Sequence, residues 1–423
     1  MPMTVESDPA LQKIAAGLFA LALLHTFSAK QFERLAARSP RHAGLFHLLG
    51  EVEVVFGFWA IVLIGCMAIF AGGSSAIDYA ESRNYTEPLF VFVVMVIAAS
   101  RPILYAVETS LRRAANMLPS YASAVLVWLS LALVPLFGSL ITEPAAMTIA
   151  ALMLAPQVFQ RHVPEPQKYL ALGVLFVNVS IGGTMTAYAA PPVLMVAATW
   201  NWDSAFMLAN FGWKAALVVL VNATIATFAL RHQLRSMQPA QPVQRATIPF
   251  AVVLVHATFL GATVTFAHHP IIFIGSFLMF LGFTQAYDRY QSPLIIKEAL
   301  LVGFFLAGLV LLGSMQRWWL QPIVSALEPL ALFFGALGLT AITDNAALTY
   351  LGSLITDIGP EAKYMLVAGA VAGGGLTVIA NAPNPAGVTL LKRGFADETV
   401  GAGGLLLGAA GPTLLAAAAF VLL

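Results

Sequence analysis

The chain consists mainly of long apolar runs separated by short polar stretches. A helix needs about 20 apolar residues to cross the hydrocarbon core of a membrane, and the longest runs reach that length. They predict membrane-spanning helices at 11–29, 43–71, 88–111, 205–230, 247–267, 271–287, 294–315 and 399–423. Two other regions, 119–198 and 319–391, are apolar stretches interrupted by an acidic tripeptide and then by Gly, Thr and Pro. Non-helical backbone is tolerated at membrane depth only where it is buried in protein or lines a cavity, so we expect the function in these two regions.

The two interrupted regions are copies of one another. Residues 141–148 have the sequence Ile-Thr-Glu-Pro-Ala-Ala-Met-Thr and line up with Ile-Thr-Asp-Asn-Ala-Ala-Leu-Thr at 342–349. Farther along the chain, 182–192 and 373–383 share the pattern Gly-Gly-x-x-Thr-x-x-Ala-x-x-Pro. Either motif alone would be weak, but their recurrence in the same order indicates an internal duplication, as many secondary transporters have.

Basic residues in the loops predict how the two copies are oriented. Lys and Arg are in excess in the loops 30–42, 112–118, 161–168 and 231–245, and loops of this kind face the cytoplasm. If the first interrupted region enters the membrane and returns as a re-entrant hairpin, the loops before and after it share the cytoplasmic side. The second hairpin then enters from the opposite side, so the two copies are predicted to be inverted.

The predicted fold is therefore an all-α polytopic membrane protein of about ten spans. It has inverted structural repeats, each with a re-entrant hairpin and a discontinuous helix. We divide the chain into an N-terminal span and cytoplasmic loop (1–42), a first transport repeat (43–230), a cytoplasmic linker (231–246) and a second, inverted transport repeat (247–423). The expected location is the inner membrane of the cell, where the chain crosses the lipid bilayer several times.

Composition excludes several other classes of protein. Hydrophobic residues make up 59% of the chain and charged residues 10%, whereas a soluble domain carries about 25% charged residues. A net charge of +1 gives the chain no means of attracting nucleic acid. The sequence contains no phosphate-binding loop, dinucleotide fingerprint or nucleophile elbow. We therefore expect that the protein is not an enzyme and binds no cofactor. We also expect that ATP does not drive its transport.

The acidic residues at the two interruptions, Glu143 and Asp344, are the strongest functional candidates. A carboxylate in the hydrocarbon region is costly, and such residues usually mark ion paths or proton relays. Burial disfavours the charged form of a carboxyl group, whereas a nearby cation favours it. A site of this kind holds either a proton or a metal cation, and that competition is sufficient for exchange. A structural interpretation is also open, because Glu143-Pro144 has the pattern of a helix start.

Threonine and asparagine residues near both carboxylates are candidates to complete the site. The interrupted segments add free backbone carbonyls and half-helix ends, which are common ligands of small cations, and Asn384 adds a further amide oxygen in the second copy. The predicted cation- and proton-binding residues are Asp344, Glu143, Asn345, Thr343, Thr142, Thr186, Thr377, Asn381, Gly183 and Gly374. The expected ligands of Na⁺ among them are Asp344, Asn345 and Glu143.

These motifs resemble the ion transporter superfamily, which includes divalent anion/sodium symporters, arsenite permeases and NhaD-type Na⁺/H⁺ antiporters. Ser180-Ile181-Gly182-Gly183 and Pro191-Pro192 are similar to the superfamily's Ser-x-Gly-Gly and Pro-Pro segments, with Val193 where Asn is usual. Asp344-Asn345 is similar to the Asp-Asn tip of the NhaD branch, and Glu143-Pro144 departs from it. The resemblance covers most of 90–423.

The resemblance implies a Na⁺/H⁺ antiporter whose transported ions are H⁺ and Na⁺ or another monovalent cation, such as Li⁺ or K⁺. Homodimers are common in the superfamily, so a homodimer is one assembly to expect. The alternative is a Na⁺-coupled anion or oxyanion transporter of the same superfamily. Acidic tips favour the cation, because an anion site would present hydroxyls, amides and helix N-termini instead.

Overall fold

The computed structural model describes residues 5–118, 121–235 and 247–423, and the regular structure in these ranges is entirely helical. Its α-helices are α1 (Pro9–Thr26), α2 (Ala29–Arg38), α3 (Ala43–Gly50), α4 (Val52–Ala71), α5 (Gly73–Glu81), α6 (Thr86–Ala98), α7 (Arg101–Asn116), α8 (Ala122–Leu131), α9 (Leu133–Ile141), α10 (Glu143–Leu154), α11 (Glu165–Gly182), α12 (Pro191–Trp200), α13 (Ser204–Met207), α14 (Trp213–Ala229), α15 (Arg231–Arg235), α16 (Phe250–Thr265), α17 (Pro270–Ala286), α18 (Ile296–Ser314), α19 (Arg317–Ser325), α20 (Pro329–Thr340), α21 (Asn345–Ser353), α22 (Pro360–Gly373), α23 (Asn384–Leu391) and α24 (Ala402–Leu422). There are also two π-helical turns. Ala155–Phe159 follows α10, and Leu208–Gly212 joins α13 to α14. The predicted all-α class is confirmed.

The helices include those of a multi-pass membrane protein. Among the described residues, six helices are long and apolar enough to cross a membrane, or eight if each of two bent pairs forms one span. The six are Pro9–Thr26, Glu53–Ala71, Glu165–Met185, Ser204–Ala229, Ile296–Ser314 and Ala402–Leu422. Two further predicted spans are α16 and α17, with 16 and 17 residues, which is less than the roughly 20 that a full crossing needs. The described residues thus contain six to eight candidate spans, where the sequence predicts about ten.

Two predicted spans are each divided into two helices. The run 43–71 breaks at Glu51, whose extended backbone (φ −76°, ψ 121°) separates α3 from α4. The run 88–111 bends by 60° between α6 and α7, where Ser100 is extended and Pro102 lies in the first turn of α7. Proline fits the first turn of a helix but interrupts a helix that continues through it, so a new helix begins at this point.

The first of two compact units comprises Met1–Phe92, Ile296–Leu327 and Tyr350–Gly359. Within it α4 packs against α1, α5 and α18. A Cβ atom on Gly308 would overlap the backbone of Gly57, so the axes of α18 and α4 approach more closely than larger residues would allow. Beside this contact, the ring of Phe56 meets those of Phe19 and Phe305 edge to face, with centroid distances of 5.6 and 5.3 Å.

The second unit comprises Val93–Ile295, Glu328–Thr349 and Pro360–Leu423. Within it α11 packs against α9, α14 and α24, and α20 packs against α22. Asn178 in the middle of α11 donates hydrogen bonds to the carbonyls of Leu131 (2.8 Å) and Val219 (3.2 Å) and accepts one from Asn222 (3.0 Å). The carbonyl of Leu131 is available because α8 ends there and the chain bends by 41° into α9. Buried polar contacts of this kind join neighbouring membrane helices.

The acidic interruptions 142–144 and 343–345, referred to as the first and the second tip, and both later interruptions lie in the second unit. The elements succeed each other in the same order in each copy. The first copy has α9, a break at Thr142, then α10 and α11, a break at 183–190, and α12. The second has α20, a break at 341–344, then α21 and α22, a break at 374–383, and α23. The duplicated sequence thus gives a duplicated succession of helices and breaks.

Parts of three predicted segments lie outside the described residues. They are 236–246 of the linker 231–246, 1–4 of the N-terminal segment, and 119–120 of the first interrupted region. The linker is described only at its start, where α15 covers Arg231–Arg235.

Candidate functional site

Glu143, at the first tip, is completely buried. Its exposed fraction is 0%, although it is the first residue of α10 and Pro144 follows it in the first turn. The helix-start interpretation is therefore correct for the backbone. The carboxylate, however, has another partner: its Oε2 accepts a hydrogen bond of 2.8 Å from Asn381 Nδ2. Its Oε1 has no hydrogen-bond partner among the described residues.

Thr142, which separates α9 from α10, has a strained backbone. Its angles of φ 77° and ψ 153° fall in a region that is almost restricted to glycine, and occupying it costs a β-branched residue roughly 1–3 kcal/mol. Its hydroxyl is buried and, in the described chain, forms no hydrogen bond. Strain of this kind persists only where the surrounding structure imposes it, and it is concentrated at functional sites.

The first broken segment packs directly over the Glu143 carboxylate. A Cβ atom on Gly183 would lie 2.7 Å from Glu143 Oε1, so this close approach requires glycine. Ser139 of α9 holds the segment in place, because its Oγ donates to Gly182 O (2.7 Å) and accepts from Met185 N (3.0 Å). The carboxylate is thereby enclosed between a helix start and non-helical backbone.

Asp344, at the second tip, is half-buried and caps a helix. Its Oδ1 accepts hydrogen bonds from the backbone N–H groups of Ala346 (2.8 Å) and Ala347 (3.3 Å), as is typical of an N-cap residue. Its charge also interacts with the carboxyl group of Glu143. Asp344 therefore contributes to the electrostatic field at the first tip, while its own oxygen stabilises the start of α21.

Asn345 follows Asp344 and is completely buried. Its backbone N–H donates to Ala380 O (3.1 Å), and its Nδ2 donates to Ser180 Oγ at 3.5 Å. A Cβ atom on Gly374 would overlap Ser180 Oγ and lie 2.9 Å from Asn345 Nδ2. This second close approach, like the one at Gly183, requires glycine.

The two copies form one cluster through exchanged contacts. The tip of the first copy, Glu143, is bound by Asn381 from the broken segment of the second. The tip of the second copy, Asn345, reaches Ser180 of the first, and its backbone holds Ala380, the neighbour of Asn381. The structure therefore brings both tips to the same short segment of chain.

The cluster leaves several buried oxygen atoms without hydrogen bonds. In the described chain they are Thr142 Oγ1, Glu143 Oε1, Thr340 Oγ1, Asn345 Oδ1, Asn381 Oδ1 and Asn384 Oδ1. Buried polar atoms usually have partners, although some atoms elsewhere in the described chain, such as Thr263 Oγ1 and Thr413 Oγ1, also lack a hydrogen bond. The side-chain amide nitrogens of the three asparagines all donate hydrogen bonds. That of Asn384 donates to Gly374 O (2.8 Å) and Thr377 O (2.9 Å), and those of Asn345 and Asn381 form the bonds described above. Hard cations bind to sets of oxygen ligands of this kind.

Comparison with known proteins identifies the family of the chain. A family model described as "Putative Na+/H+ antiporter" matches residues 10–423. The chain belongs to this family. No curated protein matches it significantly. Membership in the antiporter family confirms the resemblance inferred from the motifs and supports cation–proton antiport as the general activity. It is also consistent with a transporter rather than an enzyme.

The hydroxyl groups of three predicted ligands of this antiporter-family chain donate hydrogen bonds in the structure, which leaves their oxygen lone pairs able to bind a cation. The hydroxyl of Thr186 donates to Ser139 O (2.7 Å), that of Thr377 to Ala341 O (2.9 Å), and that of Thr343 to Leu339 O (3.0 Å). Thr186 connects the first broken segment to α9, and Thr377 connects the second broken segment to the end of α20. Thr343 bonds within its own copy as well, at the end of α20.

Three hydroxyl residues of the cluster were not among the predicted site residues. Ser180 was noted only as part of a motif, and Ser139 and Thr340 were not singled out. The sequence did contain a clue, because Ser139 and Thr340 occupy equivalent positions three residues before the aligned Thr142 and Thr343. A hydroxyl at the same point of both copies is therefore a signal that the sequence comparison of the two copies could have found.

Proposed function

We propose that this protein exchanges Na⁺, or another monovalent cation such as Li⁺ or K⁺, for H⁺, and that Glu143 binds the two ions in turn. The observation that carries the proposal is the complete burial of Glu143 with only one carboxylate oxygen hydrogen-bonded. Removing an unpaired carboxylate from water costs several kcal/mol. Glu143 therefore needs either a proton on the carboxyl group or a cation beside it.

The free oxygens of the cluster are suited to the cation. Glu143 Oε1 supplies the negative charge, and Asn381 Oδ1, Asn345 Oδ1 and Thr142 Oγ1 supply neutral oxygens. Carbonyl groups of the broken segments 183–190 and 374–383 would complete the coordination. Protonation of Glu143 removes the only formal charge of this set, so proton binding and cation binding exclude each other.

Asp344 would assist from the second tip. Its interaction with the Glu143 carboxyl group adds negative potential, which attracts both competing cations. The exchanged contacts Glu143–Asn381 and Asn345–Ser180 are of the kind expected where inverted repeats meet at a transport site. We therefore retain the inverted repeats with re-entrant hairpins, and the inner membrane of the cell, as parts of the proposal.

The test is proton flux in proteoliposomes that contain the purified protein and an internal pH dye, without any organic or oxyanion substrate. Addition of Na⁺, Li⁺ or K⁺ is expected to change the internal pH in the wild type and to have no effect in Glu143→Gln. Because metal ligands must be deprotonated, lowering the pH by one unit should raise the KM for Na⁺ by up to about tenfold.

Glu165→Gln is the matched control. Glu165-Pro166 begins α11 as Glu143-Pro144 begins α10, but Glu165 is exposed. If Glu143 only starts its helix, the two variants will have the same flux, which would refute the ion-binding role. If the wild type responds to no monovalent cation and takes up Na⁺ only together with an anion, the Na⁺-coupled anion transporter replaces this proposal.

A further inference from the structure

An apolar crevice lies in the first unit, far along the chain from the residues of the ion site. Its volume is about 400 Å³, and its walls include Leu21 and Leu24 of α1, Phe32 and Leu35 of α2, and Phe58 and Trp59 of α4. We refer to it as the N-terminal crevice. Its size falls in the range of about 300–1,000 Å³ that is typical of small-molecule sites.

The N-terminal crevice is lined mainly by apolar side chains, with His25, Ser28 and Gln31 as the polar exceptions. Trp59 Nε1 donates to His25 Nδ1 (3.1 Å), and His25 Nε2 is 2.9 Å from Leu49 O, so both ring nitrogens of His25 are already paired. Leu24 is 65% exposed and Leu35 is 42% exposed. An occupant would therefore contact mostly apolar side chains.

The rim of the N-terminal crevice is positively charged. Gln31, Arg34, Leu35 and Arg38 lie three or four residues apart on α2 and so share one face, and Gln31 and Leu35 line the crevice. Arg34 and Arg38 are exposed, and neither forms a hydrogen bond or ion pair with any described side chain. Residues 28–42 contain four Lys or Arg and one Glu. A basic amphipathic helix beside apolar surface is typical of segments that lie at an anionic membrane face.

From these observations we propose that the N-terminal crevice binds one anionic phospholipid, with an acyl chain between α1, α2 and α4 and the phosphate at Arg34 and Arg38. A second copy of the chain is a poorer occupant. In a symmetric dimer the same patch of each copy forms the interface. Arg34 and Arg38 would then face the same two arginines of the other copy, and this repulsion between like charges is unfavourable. The basic loop 30–42 also predicts a cytoplasmic position, where the leaflet carries anionic lipid.

The test is lipid retention by the purified full-length protein in detergent, measured by native mass spectrometry. Phosphatidylglycerol and phosphatidylcholine with identical acyl chains are added in equal amounts. The wild type should retain one phosphatidylglycerol in preference to phosphatidylcholine. The double variant Arg34→Gln/Arg38→Gln should bind it about twentyfold more weakly, since each basic residue near an anionic surface contributes roughly fivefold.

Two further variants distinguish lipid binding in the crevice from a general effect of the protein's net charge. Arg113→Gln/Arg393→Gln removes two exposed basic residues elsewhere and should retain phosphatidylglycerol like the wild type. Leu24→Trp keeps the charge but fills the crevice, and should lose the lipid while its melting temperature stays within a few degrees of the wild type. Equal retention of both lipids, or equal loss in the two arginine double variants, would overturn the proposal. So would a dimer that forms without lipid and is absent in Leu24→Trp.

Discussion

The two tips have closely related sequences but hold their acidic residues in different environments. Glu143 is completely buried, has one oxygen bonded to Asn381 and has the other without a partner among the described residues. Asp344 is half-buried and accepts two backbone hydrogen bonds at the start of α21. One carboxyl group is therefore buried with a single hydrogen bond, and the other is stabilised by the helix that it caps.

The threonines before the two acids differ in the same way. Thr142 has a positive φ and a buried hydroxyl without a hydrogen bond in the described chain, whereas the hydroxyl of Thr343 donates to Leu339 O. The two tips are thus similar in sequence, but the first carries backbone strain, whereas Thr343 and Asp344 of the second form local hydrogen bonds. This contrast supports the proposal that the first tip binds the ion and that the second assists.

The largest expected difference between the tips is in the acidic residues themselves. Glu143→Gln should reduce cation-dependent proton flux to the level of empty liposomes. Asp344→Asn should preserve exchange and raise the KM for Na⁺ roughly tenfold, because asparagine still caps α21 while one nearby charge is lost. Flux in proteoliposomes measures both. Loss of exchange in Asp344→Asn together with its survival in Glu143→Gln would move the site to the second tip.

A smaller difference is expected between the asparagines that contact the tips. Asn381→Ala removes the hydrogen bond to Glu143 Oε2, and bonds to charged groups contribute about 1.5–3 kcal/mol. We expect the KM for Na⁺ to rise by about tenfold to one hundredfold, and by less in Asn345→Ala. Asn210→Ala, which breaks only a bond to Phe206 O, should leave KM unchanged. Equal effects of the first two variants would contradict the central position of Glu143.

The smallest expected difference concerns backbone strain and is read from melting temperatures in detergent. Thr142→Gly should stabilise the protein by about 1 kcal/mol, because the strain of roughly 1–3 kcal/mol that it relieves exceeds the entropic cost of glycine, roughly 0.5–1 kcal/mol. Thr343→Gly relieves no positive φ and should destabilise the protein. A lower melting temperature for Thr142→Gly than for Thr343→Gly would show that the first tip is not strained.

Much of the fold could be predicted because a membrane requires long apolar runs. The runs at 11–29, 294–315 and 399–423 became α1, α18 and α24 with ends shifted by only a few residues. Hydropathy did not reveal the breaks at Glu51 and Ser100, since a run remains apolar on both sides of a bend. Those breaks depend on the backbone at single residues, and only the folded chain shows them.

The candidate site, like the fold, could be predicted only in part from the sequence. The sequence by itself determined a duplicated, helical membrane protein with an acidic residue at each tip, because these properties follow from residue type and order. Only the tertiary structure decided that Asn381 reaches Glu143, that Ser180 reaches Asn345, and that Asp344 is used as a helix cap. The physical reason is that the desolvation and the partners of a carboxyl group depend on residues that packing brings together, and Asn381 is more than two hundred positions from Glu143 in the chain.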